Sequence, residues 1–168
     1  SVGNQPYQAV DTLLTPQINN LTTTDQGLNT ADEPVSYYIR AIDSCGNAAM
    51  PADTHRTIHL RATSQNAYNQ LEWTTYKGWQ NYEYELQRKV IGSNSWKGLK
   101  TFSQLQQQFR DSNVNCQVTY RYRIRATDLN TNRISFSNTD TAQSYEVTPP
   151  KAPVIIRASV TSTGTNNG

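Results

Sequence analysis

The sequence predicts an all-β protein made of repeated antiparallel sandwiches. Three observations carry the prediction. Ser36-Tyr37-Tyr38-Ile39-Arg40-Ala41-Ile42-Asp43 recurs as Arg121-Tyr122-Arg123-Ile124-Arg125-Ala126-Thr127-Asp128, with a constant offset of 85. An internal repeat decides the fold class before any local reading. Apolar and polar residues alternate with period two through most of the chain, as half-buried strands require. Helical periodicity is nearly absent: Gln104-Leu105-Gln106-Gln107-Gln108-Phe109 is too short for an autonomous helix and lies between strand patterns.

Taken in order, Leu71-Glu72-Trp73 reads as a strand. Tyr82-Glu83-Tyr84-Glu85-Leu86-Gln87 is the next, with Tyr82, Tyr84 and Leu86 on one face. Tyr120 to Ala126 is a third, with Tyr120, Tyr122, Ile124 and Ala126 inward. Turn residues separate these strands at Lys77-Gly78, Ile91-Gly92-Ser93-Asn94, Asp111-Ser112-Asn113 and Asn130-Thr131-Asn132. Short strands at such spacing, bounded by turns, form antiparallel sandwiches. Ten Tyr against three Phe suit strands that bury a ring and bring its hydroxyl to the edge.

The composition narrows the function. Charged residues make up 17% and the net charge is +2, which gives no electrostatic footprint for nucleic acid or an acidic membrane. No apolar run approaches ~18 residues, so no helical membrane span is expected. The two cysteines, Cys45 and Cys116, in a Thr- and Asn-rich chain are compatible with secretion and disulfide bonding. They are too few for a structural zinc site. His55 and His59 are expected on one face of a single strand, ~13 Å apart and too far for one ion.

The order Leu71-x-Trp73, Tyr82-x-Tyr84-x-Leu86, an Asp111 turn, Tyr120-x-Tyr122-x-Ile124-x-Ala126 and then Ser137-x-Thr139 resembles a fibronectin type III domain. The resemblance implies tandem fibronectin type III (immunoglobulin-like) antiparallel β-sandwiches. These segments would be strands B, C, E–F, F and G. Trp73 would be the core tryptophan of strand B, and Tyr120 would open strand F. Trp73, Tyr84, Leu86, Tyr122, Ile124 and Ala126 would form the core.

His59-Leu60-Arg61-Ala62 matches Ile155-Ile156-Arg157-Ala158 at an offset of 96, about one such domain. Residues 56–148 are therefore expected to be a complete unit, 1–55 the C-terminal part of a preceding unit, and 149–168 a Pro-rich linker with the first strand of a further unit. Val2-Gly3 matches Ile91-Gly92, which places Ser1 after strand C of its unit. The chain is expected to be a segment of a longer protein, and the rival expectation is that a second copy supplies strands A to C by swapping.

Ala41-x-Asp43-Ser44-Cys45-Gly46-Asn47 resembles, more narrowly, the large repeat-bearing surface proteins of Bacteroidetes. That family is associated with gliding motility and type IX secretion. The second unit departs from it, with Asp128-Leu129-Asn130-Thr131-Asn132 in place of the Cys-containing turn. In this fold Cys45 would lie in the F–G turn of unit one and Cys116 in the E–F turn of unit two, at far ends of a two-unit rod. A disulfide requires Cα atoms within ~7 Å, so the two are not expected to pair with each other. The resemblance implies inter-unit disulfides instead, Cys45 with a preceding unit and Cys116 with a following one, both partners outside this chain; the alternative is two free or differently paired thiols.

Arg121, Arg123 and Arg125 line the outer face of strand F opposite Glu83, Glu85 and Gln87 on strand C, an ion-pair ladder; a polyanion-binding stripe is the sharper alternative, and the adjacent glutamates argue against it. Asp128-x-Asn130-x-Asn132 mimics a calcium loop but lacks its Gly and Glu, so a hairpin turn is expected. Trp79 and Trp96 are the candidate ligand-facing aromatics, with packing as the ordinary alternative. Asn20-Leu21-Thr22 is a glycosylation sequon in form, and Asp11-Thr12-Leu13 and Asp140-Thr141-Ala142 resemble short O-glycosylation sites.

No catalytic triad, metal constellation or phosphate loop is evident, so no enzyme activity, cofactor or metal is expected. The reading is a non-enzymatic spacer or adhesion segment of a secreted, extracellular cell-surface protein. Its partners would be neighbouring repeat units, with surface polysaccharide or other surface proteins as further candidates. The alternatives are a carbohydrate-binding or accessory module of a secreted glycoside hydrolase, and a structural subunit of a surface filament.

Overall fold

The computed structural model describes residues 6–13, 22–27 and 29–157. In chain order the strands are β1 (Ser36–Tyr37), β2 (His55–Arg56), β3 (Leu60–Gln65), β4 (Tyr68–Trp73), β5 (Tyr82–Val90), β6 (Lys97–Ser103), β7 (Gln108–Asp111), β8 (Thr119–Asp128), β9 (Ile134–Phe136) and β10 (Asp140–Gln143). All named strands pair antiparallel. No helix occurs among the described residues, so none there is long and apolar enough to cross a membrane.

Two sheets face each other. One runs β3-β4-β7; the other runs β10-β8-β5-β6, with β9 also on β8. In fibronectin type III lettering these are A-B-E and G-F-C-C′, and the chain is an all-β sandwich of that class. β8 shows why the sequence folds this way. Every second residue from Tyr120 to Asp128 is buried, and the residues between them are half-buried. Leu60, Leu71 and Trp73 meet Tyr84, Leu86, Tyr122, Ile124 and Ala126 in one core. All six residues expected to form that core are buried.

The open edge between the sheets is closed by side chains rather than by a continuous ladder. Asn138 brackets β3: its Oδ1 accepts from the Leu60 N–H at 2.6 Å and its Nδ2 donates to the Leu60 carbonyl at 2.9 Å. Asp140 Oδ2 accepts from Ala62 N–H at 2.7 Å, and Ser64 Oγ accepts from Gln143 N–H at 3.0 Å. The partners advance together along both strands, so β3 and β10 run side by side in parallel. The Ser137-x-Thr139 segment thus interrupts strand G between β9 and β10 and frees Asn138 to bind across the edge.

Residues 36–56 form a hairpin. Beyond the β1–β2 base, Ala52 N–H donates to Ile39, Ala49 N–H to Ala41 and Asp43 N–H to Asn47, at 2.8–3.0 Å. Its tip matches the tip after β8. Asp43 accepts from the Cys45 and Asn47 amides; Asp128 accepts from the Asn130 amide and the Thr131 hydroxyl. Gly46 (φ 84°) and Asn132 (φ 58°) each supply the left-handed residue. The second turn is one residue longer, closing Asp128 on Arg133 where the first closes Asp43 on Asn47, but an aspartate heads both.

The base of this hairpin joins the sandwich through main chain. Ser36 and Tyr37 pair with Arg56 and His55, and Arg56 exchanges hydrogen bonds with Lys77 in the loop between β4 and β5. Val35 is 1% exposed; its N–H donates to Thr57 Oγ1 and its carbonyl accepts from Thr57 N–H, both at 2.8 Å. The expected boundary at 55/56 falls inside β2.

One expectation needs correction. His55 and His59 do not share a strand. His55 belongs to β2, whereas Thr57 bonds back to Val35 and His59 bonds to Thr74, so the backbone changes partner between them. The expected first strand of a further unit falls mostly on residues outside those described, and the described Ile155, Ile156 and Arg157 are not part of a strand. Both isoleucines are more than 80% exposed, and no strand among the described residues lies alongside to pair with. Ala158 and the Val2-Gly3 match lie outside the described residues, as do Asn20 and Leu21 of the sequon.

Candidate functional site

Polar networks occupy both ends of the core. At the end nearer β2, the Tyr84 hydroxyl accepts from Tyr76 N–H at 2.8 Å, Tyr82 Oη donates to the Tyr76 carbonyl at 3.0 Å, and Tyr76 Oη lies 2.6 Å from His55 Nδ1. Trp79 stacks on Tyr76 with centroids 4.4 Å apart. Gly78, at φ 127°, passes so close that an added Cβ would lie 2.2 Å from the His55 ring. At the other end Arg88 donates to Asp111 at 2.7 Å, Tyr122 Oη donates to the same carboxylate at 3.0 Å, and Asn69 Nδ2 donates to Tyr122 Oη at 2.8 Å.

These networks carry a pH prediction. Burial pushes Tyr76 up to about 12, with the Asp128 charge adding to it, and burial raises Tyr84 and Tyr122 as well. The neutral phenols are the folded forms. Above the ordinary value of 10.0 the unfolded chain loses these protons first, so stability is complete below pH 10 and declines as the pH rises through about 12. We expect a late phenolate absorbance step that coincides with loss of the β circular-dichroism signal. All ten tyrosines ionising near pH 10 in a folded chain would contradict the buried networks.

The chemically richest surface is the outer face of the β5–β6–β8–β9 sheet. The expected ladder divides there. Arg125 pairs with Glu85 at 3.4 Å, a half-exposed contact contributing about 0.2–1 kcal/mol. Arg123 faces Gln87 instead, with Nε donating to Oε1 at 2.7 Å, and its guanidinium lies 4.2 Å from the Trp96 ring centroid and 4.4 Å from that of Phe136. Lys89 Nζ is 5.0 Å from the same Trp96 centroid, and Lys89 lies directly across from Arg121. Burial lowers the Arg123 pKa from its usual 12.5, with Glu85 opposing that shift.

The residues singled out in the sequence fall as follows. Cys45 is exposed at the tip of the first hairpin, and Cys116 is exposed in the turn before β8, beside the outgoing chain where Gln117 N–H donates to Ser144. The two are not bonded to each other. Trp79 is half-buried against the core, with its Nε1 enclosed. Trp96 immediately precedes β6 on the outer face. The Asp128 carboxylate is engaged by its own turn, and the Thr131 hydroxyl is the main cause holding its pKa below 3.8. Asn47 does the same for Asp43. No group of three metal-ligating side chains occurs among the described residues.

Sequence reasoning missed the Arg88–Asp111–Tyr122–Asn69 network and the Trp96–Arg123–Phe136 stack. A signal for the first was present: Arg88 continues the inward phase of Tyr82, Tyr84 and Leu86, and an arginine there requires a buried anion. The second has no local signal, because its rings come from separate strand ends.

No protein-family model and no curated protein matches the chain. Among solved structures it is similar to pectate lyase PelI from Erwinia chrysanthemi in complex with tetragalacturonic acid, at 19% identity and TM-score 0.46, over 51% of this chain and 28% of that one. It is similar to an Fn3-like protein from Clostridium thermocellum, at 17% identity and TM-score 0.45, over 58% of this chain and 99% of that one. The FN1–FN3 domains of chicken CNTN1 match at 15% identity and TM-score 0.43, over 67% of this chain and 43% of that one.

Proposed function

We propose that this chain is a non-enzymatic spacer and adhesion segment of a large secreted cell-surface protein, built from successive fibronectin type III-like units. One observation carries the reading. The Asp-headed hairpin at residues 43–47 is the counterpart of the one after β8, and its base is tied to the next unit through β1, β2 and Lys77. A main-chain junction of this kind resists bending between units, which is what a spacer requires. Val35, buried at the junction, adds apolar burial to those hydrogen bonds.

The cysteines fit the same reading. Each stands exposed at the end of its unit that would face a neighbour in an array, and a bridge there would stiffen that junction. The resemblance of the Asp43-Ser44-Cys45-Gly46-Asn47 turn to repeat-bearing bacterial surface proteins supports export to a cell surface, with type IX secretion as the proposed route. Polysaccharide and other surface proteins are the candidate ligands.

The two exposed cysteines also provide the test. With a spin label on each, a spacer gives one narrow distance distribution beyond about 30 Å, since β8 alone spans that length at ~3.3 Å per residue. A broad distribution reaching short distances would mean a free hinge and would overturn the spacer reading.

A further inference from the structure

We propose that Lys89, Arg121 and Arg123, gathered around Trp96 on the outer sheet face, form a binding site for the carboxylate or sulfate groups of an acidic polysaccharide. The inference deepens the adhesive part of the reading above by naming a ligand class and a place.

Like charges directly opposite in an antiparallel pair are destabilising, and Lys89 and Arg121 are such a pair. Proteins usually relieve that repulsion with a nearby carboxylate. Here the only ion pairs among the described residues are Arg88–Asp111 and Arg125–Glu85. Lys89 lies over the Trp96 ring without an ion pair, and Arg121 has neither an ion pair nor a side-chain hydrogen bond among those residues. No carboxylate among the described residues pairs with either side chain, so both charges are open to an external anion.

Arg123 supplies the recognition element. Stacking between Trp96 and Phe136 and the single bond to Gln87 hold its side chain in place. Of the five N–H donors of a guanidinium, one is used, and the Nη donors have no partner among the described residues. A planar fork held by ring stacking has already lost much of its rotamer freedom, so a bidentate carboxylate or sulfate binds it at lower entropic cost. Lys89 and Arg121 stand across the β5–β8 pairing from each other, two register positions from Gln87 and Arg123 and on the same face.

The surroundings choose among anions. Glu85 borders the patch, bonded to Arg125 and Gln87, and Glu83 lies beyond it on the same face. Those carboxylates repel a densely charged phosphate backbone more than a polymer with one charge per sugar. The net charge of +2 adds no long-range attraction for nucleic acid. Trp96 adds an apolar edge against which a sugar ring packs beside the charged fork.

Affinity electrophoresis of the whole chain tests this, in gels containing alginate, dextran sulfate or neutral dextran. We expect retardation by an acidic polymer and not by neutral dextran; the stronger of the two acidic gels identifies carboxylate or sulfate as the preferred group. Arg123→Gln is expected to weaken retardation at least 10-fold. Lys89→Gln, which removes no stacking platform, is expected to weaken it several-fold and to flatten its salt dependence. Arg125→Gln, outside the site, is expected to bind like the parent. The proposal is overturned if neither acidic polymer retards the chain at low salt, if neutral dextran retards it equally, if duplex DNA competes more strongly than either polymer, or if Arg125→Gln loses as much as Lys89→Gln. Failure here leaves the label-to-label distance unchanged, so the spacer reading is judged separately.

Discussion

Replacing Asp111 with Ala is expected to cost about 3–5 kcal/mol, a large share of the ~5–15 kcal/mol that holds a domain of this size. The side chains of Arg88 and Asp111 are 14% and 4% exposed, so the charge left behind cannot be rehydrated in place. The damage extends further: Tyr122 loses its acceptor, and the Asn113 amide, which donates to Asp111 Oδ1 at 3.2 Å, loses its turn partner. Urea denaturation followed by circular dichroism measures the loss. The double variant Arg88→Met/Asp111→Leu separates the causes. It removes both charges and keeps apolar volume, so it should be more stable than Asp111→Ala alone. A single variant within ~1 kcal/mol of the parent would show that the pair is open to water.

Trp73→Ala is expected to cost a similar ~3–5 kcal/mol through the cavity left in the core. Trp73 is 4% exposed and packs edge-on to Tyr84 at 6.0 Å and tilted against Phe102 at 5.4 Å. It bridges the sheet it belongs to and the facing one, so neither can collapse into the void without breaking its own ladder. Trp73→Phe should cost less than half as much. The indole Nε1 is buried with no acceptor among the described residues, and removing an unsatisfied donor offsets part of the lost packing. Equal losses for the two substitutions would overturn the cavity account, because a phenyl ring still fills most of the space that Ala leaves empty.

Both predictions rest on residues of different legibility. Trp73, Tyr84, Leu86, Tyr122, Ile124 and Ala126 could be read from alternation, because a strand with one buried face must place apolar residues two apart. The turns at Asp43 and Asp128 were equally legible, since the short carboxylate that caps a hairpin is a local event. The pairing of Arg88 with Asp111, 23 residues away, was not.

The candidate site shows the same division. The facing of Glu85 to Arg125 follows from strand order and register, and was expected. The stacking of Arg123 between Trp96 and Phe136 was not, because it depends on where the ends of β6 and β9 come to rest on the sheet. The corrected His55–His59 reading has a related cause: alternation was present, but the main chain changed hydrogen-bond partner at Thr57.

The sequence by itself determined the strand pattern, the repeat and the turn chemistry, all of which act over a few residues. Tertiary structure decided what each face meets. Ile39 and Ile124 occupy equivalent places in near-identical octapeptides, yet Ile124 is 0% exposed and Ile39 is 79% exposed. In the second unit a facing sheet covers the strand, whereas in the first Tyr37 meets Asp25 and Tyr38 meets Tyr7, and no facing sheet lies over Ile39 among the described residues. Burial depends on the partner surface as well as on the residue, and that partner is not encoded in the eight letters themselves.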